Sequence, residues 1–355
     1  MSVDEVAARV FEAGLATIDA LSIYVGDKLG LYQAIVDLGP LTRDELCVRT
    51  GVHRRYVHEW LEQQVTTGLL TVDDPKLSPD GRRYGIEPAV AEVLTDGDST
   101  DFLAPFVRLL VAGGLQLPLL LDAYRTGGGV SWEEFGPDVR TGQADMNRPW
   151  FLNELGSSWF PSVPELDRRL RDGARVLDVG CGEGWSSIAI ARAYPNTTVL
   201  GVDVDRPSIE AARAHVAAEG LGDRVRFHLG DAAELDADAR FDVVTAFECI
   251  HDLPDPVAVL RNARQLVDSD GWVVVMDEAV GERFGDRTDE VERLMYGFSL
   301  FLCLPDGLSH DHSVGTGTVI RRSTLERFSI DAGFSGIAEL PIENDLWRFY
   351  RLTND

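Results

Sequence analysis

The segment Val176-Leu-Asp-Val-Gly-Cys-Gly-Glu-Gly-Trp185 constrains this chain most. An apolar run enters a turn that holds Gly180, Gly182 and Gly184, and helical sequence starts directly after it. Glycine accepts the left-handed backbone of such a turn and lets the main chain approach a ligand closely. The helix behind it offers unbonded N–H groups and the positive end of its dipole. A glycine turn alone is a weak signal. Here a strand precedes it, a helix follows it, and Asp203 closes the next apolar run nineteen residues past Gly184. A carboxylate at that place reaches both hydroxyls of a ribose.

The surrounding sequence repeats the strand-helix alternation. Apolar runs at Arg175–Val179, Thr198–Val202, Val225–Leu229, Phe241–Phe247 and Trp272–Met276 alternate with helical stretches such as Ser208–Glu219 and Val257–Val267. Asp255 and Pro256 are suited to the N-cap and first position of the latter. Continuous apolar strands between helices predict a parallel sheet covered on both faces. Val280–Ile320 interrupts the alternation with a helix and a His/Gly-rich loop. Ser323 and Glu326 predict a capping box for a last helix ending at Gly333. Ile337–Leu340 and Leu346–Leu352 are close enough to form an antiparallel hairpin.

The first half reads differently. Val3–Asp37 is helical by spacing, with Val6, Val10, Ala13, Ile18, Leu21 and Val25 three and four apart. Thr42 and Glu45 form a capping box, a third helix covers Arg54–Thr67, and two short strands flank Pro79-Asp80-Gly81. Three helices and a hairpin make a winged-helix pattern. Phe102–Arg171 is a second helical stretch, broken at Gly127-Gly128-Gly129 and rich in aromatics. The expected division is residues 1–97 as winged helix, 98–170 as helical linker and cap, and 171–355 as nucleotide-binding domain, with 279–320 a cap insertion.

Two nucleotide-type ligands suit the glycine turn. A dehydrogenase binding NAD uses G-x-G-x-x-G, and here the place of the third glycine holds Trp185, which is expected to crowd a pyrophosphate. The observed spacing, D-x-G-x-G-x-G, suits S-adenosylmethionine (SAM), which has no pyrophosphate and offers a carboxylate to the same N–H groups.

With those residues in view, 175–278 resembles the class I SAM-dependent methyltransferases. The fold implied is α/β, a Rossmann-like seven-stranded sheet, parallel with a terminal antiparallel hairpin, behind an all-α winged-helix domain. Gly180, Gly182 and Gly184 match the family's first motif, with Asp178 and Cys181 beside them as cofactor contacts. Asp203 matches its ribose-binding acid, with Val204 next to it. Asp231 and Ala232 match the adenine site, and Phe247-Glu248 the loop lining the reaction centre. With its winged helix, the chain resembles small-molecule O-methyltransferases of bacterial and plant type, over nearly its whole length and most specifically in the sheet domain.

The same resemblance gives His251, in Cys249-Ile-His-Asp-Leu-Pro-Asp255, the role of general base, since related enzymes carry His-Asp-Trp-x-Asp there. This chain has Leu253 in place of the Trp. A hydroxyl must lose a proton to attack a sulfonium methyl, and histidine titrates in the right range. Asp252 or Glu248 is expected to orient or charge it. Trp150, Trp159 and His310 are expected to line the acceptor pocket. Ser309-His-Asp-His-Ser313 has the residue types of a metal site, but neighbours on one loop seldom face one ion, so no metal is expected.

Charge and composition limit the partners. The chain has 59 acidic and 33 Lys+Arg residues, a net charge of −26. Such a surface repels nucleic acid and anionic lipid. Residues 20–95 hold eight basic against eleven acidic residues, which argues against a winged-helix regulator that binds DNA and senses SAM. Four scattered cysteines without a CxxC fit a reducing cytoplasm. No apolar run approaches the ~20 residues of a membrane span, and the first residues lack a signal-peptide pattern. The apolar face of Val3–Asp37 needs a partner, and the resemblance implies a homodimer. The expected activity is O-methylation of a small apolar or aromatic acceptor, with transfer to nitrogen or carbon the alternative.

Overall fold

The computed structural model describes residues 1–236, 240–286 and 289–354. It contains two compact units, residues 1–111 with 141–149, and 112–140 with 150–355. The stretch 98–170 is thus shared between them.

In the first unit, α1 (Val3–Lys28) and α2 (Leu31–Leu38) replace the single helical stretch expected over Val3–Asp37. The break falls at Gly30, which adopts φ 63°. Next come β1 (Leu41–Thr42), α3 (Arg43–Thr50), α4 (Arg54–Thr66), β2 (Thr71–Val72), β3 (Arg83–Gly85) and α5 (Pro88–Thr95). The strands are antiparallel in the order β1-β3-β2, which is the wing. The Thr42–Glu45 capping box is present. Leu31, Tyr32, Ile35, Leu46, Val57, Leu61 and Tyr84 form the core. At Gly26 a Cβ would lie 2.4 Å from the Tyr32 ring and 2.6 Å from Trp60, so α1 depends on glycine there to seat against the core. Before that seat, Val10, Phe11, Leu15 and Ile18 of α1 are exposed.

Helix α6 (Ala104–Leu115) begins in the first unit and ends in the second. Then follow α7 (Leu117–Thr126), α8 (Trp132–Phe135), α9 (Pro137–Trp150), a π-helical segment Phe151–Trp159 and α10 (Pro164–Asp172). The sheet domain runs β4 (Arg175–Val179), α11 (Trp185–Ala193), β5 (Thr198–Asp203), α12 (Arg206–Ala218), β6 (Val225–Leu229), β7 (Phe241–Phe247), α13 (Pro256–Leu266) and β8 (Val267–Glu278). After α14 (Glu290–Phe298), a π-helical turn Ser299–Cys303 and α15 (Leu304–Leu308), the chain ends with α16 (Arg322–Asp331), β9 (Gly336–Glu339) and β10 (Trp347–Thr353). The sheet order is β6-β5-β4-β7-β8-β10-β9. β4 to β8 are parallel, and β10 is antiparallel to both its neighbours. One core contains Phe151, Trp159, Phe160 and Phe247, the other Leu177, Val244, Leu260 and Val275, as a doubly covered sheet requires.

One expected cap is absent. Ser323 lies inside α16, and the helix starts after Arg321, whose extended backbone sets the N-cap without a side-chain bond. The Asp255 cap of α13 is present. Among the described residues, no single helix is long and apolar enough to cross a membrane.

Candidate active site

The site is built at the carboxyl edge of β4, β5, β7 and β8. Gly180 and Gly182 have φ of 64° and 49°. A Cβ on Gly180 would lie 2.7 Å from that of Cys249, so glycine lets the loop after β7 close on the turn. A Cβ on Gly182 would meet nothing within 4 Å, so this backbone borders open space. The Gly182 N–H donates to Asp203 Oδ2 at 2.8 Å, and the Asp205 N–H donates to Oδ1 at 2.8 Å. Burial raises the Asp203 pKa, and these backbone bonds oppose the rise. A bare backbone facing space beside a braced carboxylate fits the amino-acid and ribose portions of SAM.

Other expected cofactor residues divide by environment. Asp178 is fully occupied: Oδ2 accepts from Ser186 and Ser187 at 2.6 Å each, and Oδ1 accepts from Thr245 at 2.8 Å. It ties α11 to β4 and β7, which corrects its reading as a direct cofactor contact. Cys181 is buried and its thiol pKa is raised well above the ordinary value, by burial first. Val204 is exposed at the end of β5. Asp231 is exposed, its Oδ1 accepting from the Ala233 N–H, and the Ala232 carbonyl accepts from Asn262. The Phe247 ring stacks on Phe151 at 5.7 Å and belongs to the core, so only its backbone remains at the edge. Glu248 takes a left-handed φ of 49°, and its Oε1 accepts from the Trp347 indole at 2.6 Å. Trp185 stacks on His215 at 4.5 Å, so its ring is committed to α12, contrary to the expectation that it crowds a phosphate.

His251 is 3% exposed, and its Nδ1 lies 2.6 Å from Asp277 Oδ1. Its Nε2 is 3.3 Å from Asp252 Oδ1. Burial works against a charged ring, but Asp252 and Asp277 outweigh it and hold the pKa well above the ordinary value. The orienting partner is therefore Asp277, not Glu248, and Asp252 sits at the opposite nitrogen. Next in sequence, Glu278 is buried, and burial followed by the nearby Glu248 raises its pKa well above the ordinary value. The ligand atoms of His251, Asp277 and Glu278, and those of His251, Asp252 and Cys303, fall within 4.8 Å of one another, a spacing that suits a cation. Here Nδ1 is committed to the Asp277 contact.

The segment after β8 packs onto this loop. The Gly317 N–H donates to the His251 carbonyl and the Val314 N–H to that of Pro254, both at 3.0 Å. Cys303 Sγ lies within 4.8 Å of the His251 and Asp252 ligand atoms, and burial followed by Asp252 pushes its thiol up to about 12. Asp306 Oδ1 accepts from the Trp132 N–H at 2.6 Å, and burial followed by Asp252 pushes this carboxyl up to about 7. Among the expected pocket residues, Trp159 is 2% exposed inside the aromatic core, which corrects its assignment as a lining residue. Trp150 is half-buried against Trp347 at 5.4 Å, one ring from Glu248. His310 is exposed in the turn after α15.

Asp277, Glu278, Cys303 and Asp306 were not expected at the site. The acid pair directly after the apolar stretch Trp272–Met276 of β8 was a usable signal. Nothing local marks Cys303 or Asp306, which the fold brings in.

Residues 170–300 match the family model described as "Methyltransferase domain", and 17–96 match "Rv2258c-like winged HTH domain". The ubiquinone biosynthesis O-methyltransferase of Stutzerimonas stutzeri (strain A1501) is 36% identical over 211 residues, 58% of this chain and 81% of the relative. The chain spans about half the length of several other curated relatives it matches. Its fold is similar to that of the mitomycin 7-O-methyltransferase MmcR, with TM-score 0.74 and 21% identity, covering 99% of this chain and 98% of the other. It is also similar to human N-acetylserotonin methyltransferase, solved in complex with SAM, with TM-score 0.71 and 16% identity, covering 100% of both. The chain belongs to the SAM-dependent methyltransferase family, with a winged helix-turn-helix domain ahead of the methyltransferase domain.

Proposed function

We propose that the protein O-methylates a small aromatic acceptor, with His251 as general base and Asp277 as its positioning residue. The observation that carries this reading is the 2.6 Å His251–Asp277 contact on the loop that closes over Gly180. SAM, when bound, supplies an electrophilic methyl group. Gly180 and Gly182 offer their backbone to its amino-acid end, Asp203 and Val204 border the ribose, and Asp231, Ala232 and Glu248 lie toward the adenine and reaction loop. Asp277 fixes the ring at Nδ1, which leaves Nε2 to take the acceptor's proton once the contact with Asp252 opens. Trp150 and His310 remain candidates for the acceptor wall. The similarity to enzymes named as O-methyltransferases of ubiquinone biosynthesis and of mitomycin supports a small-molecule acceptor. The division into residues 1–97, 98–170 and 171–355 is retained as a functional one. Incubation with SAM and hydroxyaromatics, with the product's methyl position read by NMR, tests the reading.

The protein is further proposed to be a cytoplasmic homodimer that does not bind nucleic acid or membrane. Exposed Val10, Phe11, Leu15 and Ile18 on α1 support a second copy as the partner. The arginines of the winged helix are engaged with acids: Arg54 with Asp44 and Asp80, Arg55 with Glu59, and Arg82 with Glu62. That leaves little unpaired positive charge for phosphates. The free thiols of Cys47, Cys181, Cys249 and Cys303 fit a reducing compartment.

A further inference from the structure

The reaction loop is surrounded by more acid than the base needs. Asp252, Asp277 and Glu278 cluster around one imidazole, with Glu248 beside Glu278. Asp277 and Glu278 are 2% and 7% exposed, and among the described residues Asp277 Oδ2 and Glu278 Oε2 have no hydrogen-bond partner. His251 opposes the negative charge at both Asp252 and Glu278. On the cap side, Asp306 lies in the field of Asp252, Asp205 and Asp203, of which Asp205 is paired with Arg140 at 2.8 Å. Buried carboxylates without enough counter-charge are costly, and a cation or hydrogen-bond donor in the site relieves the cost.

We propose that this site selects acceptors carrying a cationic amine beside the hydroxyl to be methylated, and rejects carboxylated ones, with Asp252, Glu278 and Asp306 supplying the discriminating field. The inference rests on the methyltransferase reading above. Asp252, with 29% of its side chain exposed, and Asp306 are part-buried, whereas Glu278 is buried. In a partly dry site, like charges brought together are penalised far more than in water. A carboxylated acceptor adds a further negative charge to this group, while an ammonium is drawn to it. The raised carboxyls at Glu278 and Asp306 agree with this geometry, because an arriving cation favours their ionised forms.

Calorimetry of the full-length protein with S-adenosylhomocysteine tests this with two matched series at pH 7.5. The first is dopamine, 4-ethylcatechol and 3,4-dihydroxyphenylacetate. The second is tyramine, 4-ethylphenol and 4-hydroxyphenylacetate. In the series that binds, the amine is expected to bind at least tenfold more tightly than the carboxylate, with the neutral compound between them. Glu278→Gln and Asp306→Asn are each expected to narrow that spread. A carboxylate binding as tightly as its amine overturns the proposal. So does a spread unchanged in both variants, or failure of every amine and neutral compound to bind. Because binding needs no turnover, a product methylated on nitrogen or carbon would count against the O-methylation reading alone.

Discussion

Asp277 holds the imidazole of His251 by a 2.6 Å contact between Oδ1 and Nδ1. The register of the sheet makes this possible. Phe247 pairs with Met276, so the acids that follow Met276 emerge from β8 beside the loop that follows Phe247. A carboxylate on Nδ1 directs the proton to that nitrogen and aims Nε2 away from it. The two carboxylates on the ring also favour its charged form, so a base reaction draws on the fraction that has lost its proton.

Asp277→Asn should therefore change the pH profile as well as the rate. Turnover on a hydroxyl acceptor should fall by about 10²-fold, within the range expected when acid-base help is lost. The rising limb of kcat/KM should move to lower pH, because the imidazolium loses a stabilising charge. A purely structural defect would lower the rate without moving the limb. Steady-state kinetics across pH 6–10 separates the two.

The charged pair also sets how stability varies with pH. His251 has a raised folded-state pKa, so its contribution is present in full below the unfolded value of about 6.5 and is lost as pH rises through the folded value. Glu278 is an acid with a raised folded-state pKa, so ionising it at higher pH destabilises the native state. Glu278→Gln should accordingly raise Tm at pH 8, and the gain should shrink toward pH 5. Scanning calorimetry at both values checks the sign, and an equal gain at both would contradict it.

Asp203 braces the glycine turn through Gly182 while standing where a ribose is expected. Removing a charged hydrogen-bond partner costs roughly 1.5–3 kcal/mol. Asp203→Ala should weaken SAM binding by about 10- to 100-fold, read by calorimetry. Unchanged affinity would remove Asp203 from the cofactor site.

The exposed residues of α1 predict a dimer. Light scattering of the wild type at micromolar concentration should give twice the mass of one chain. Phe11→Glu combined with Ile18→Glu should give the mass of a single chain with the helix content retained. A monomeric wild type would count against this use of α1.

Much of the fold was legible because local rules and tertiary packing agree. The apolar runs at β4 to β8 and the terminal pair appear where periodicity placed them, and the Thr42 and Asp255 caps are formed. The Ser323 cap failed because Arg321, anchored by Glu292 and Tyr296, sets the helix start through tertiary bonds. At the site, His251 and the glycine turn were marked by short motifs. The acids after Met276 were visible in the sequence, but the role of Asp277 depends on strand register, which sequence spacing does not reveal. The placement of the Phe247 and Trp159 rings was not legible because an aromatic near a sheet edge serves a core as readily as a ligand, and here both rings entered one aromatic cluster. Asp306 was hidden because its neighbour Trp132 lies far away in sequence and is joined to it only by the fold.

The most direct test is single-turnover transfer from ¹³C-methyl SAM to a hydroxyaromatic acceptor, in the wild type and in His251→Ala, with NMR locating the label. The expected result is an O-methyl product in the wild type and a rate about 10²–10⁴ lower in the variant, with SAM affinity kept within about twofold. A variant that transfers at the full rate, or a wild type that places the label on nitrogen or carbon, would contradict His251 as the base of an O-methyl transfer.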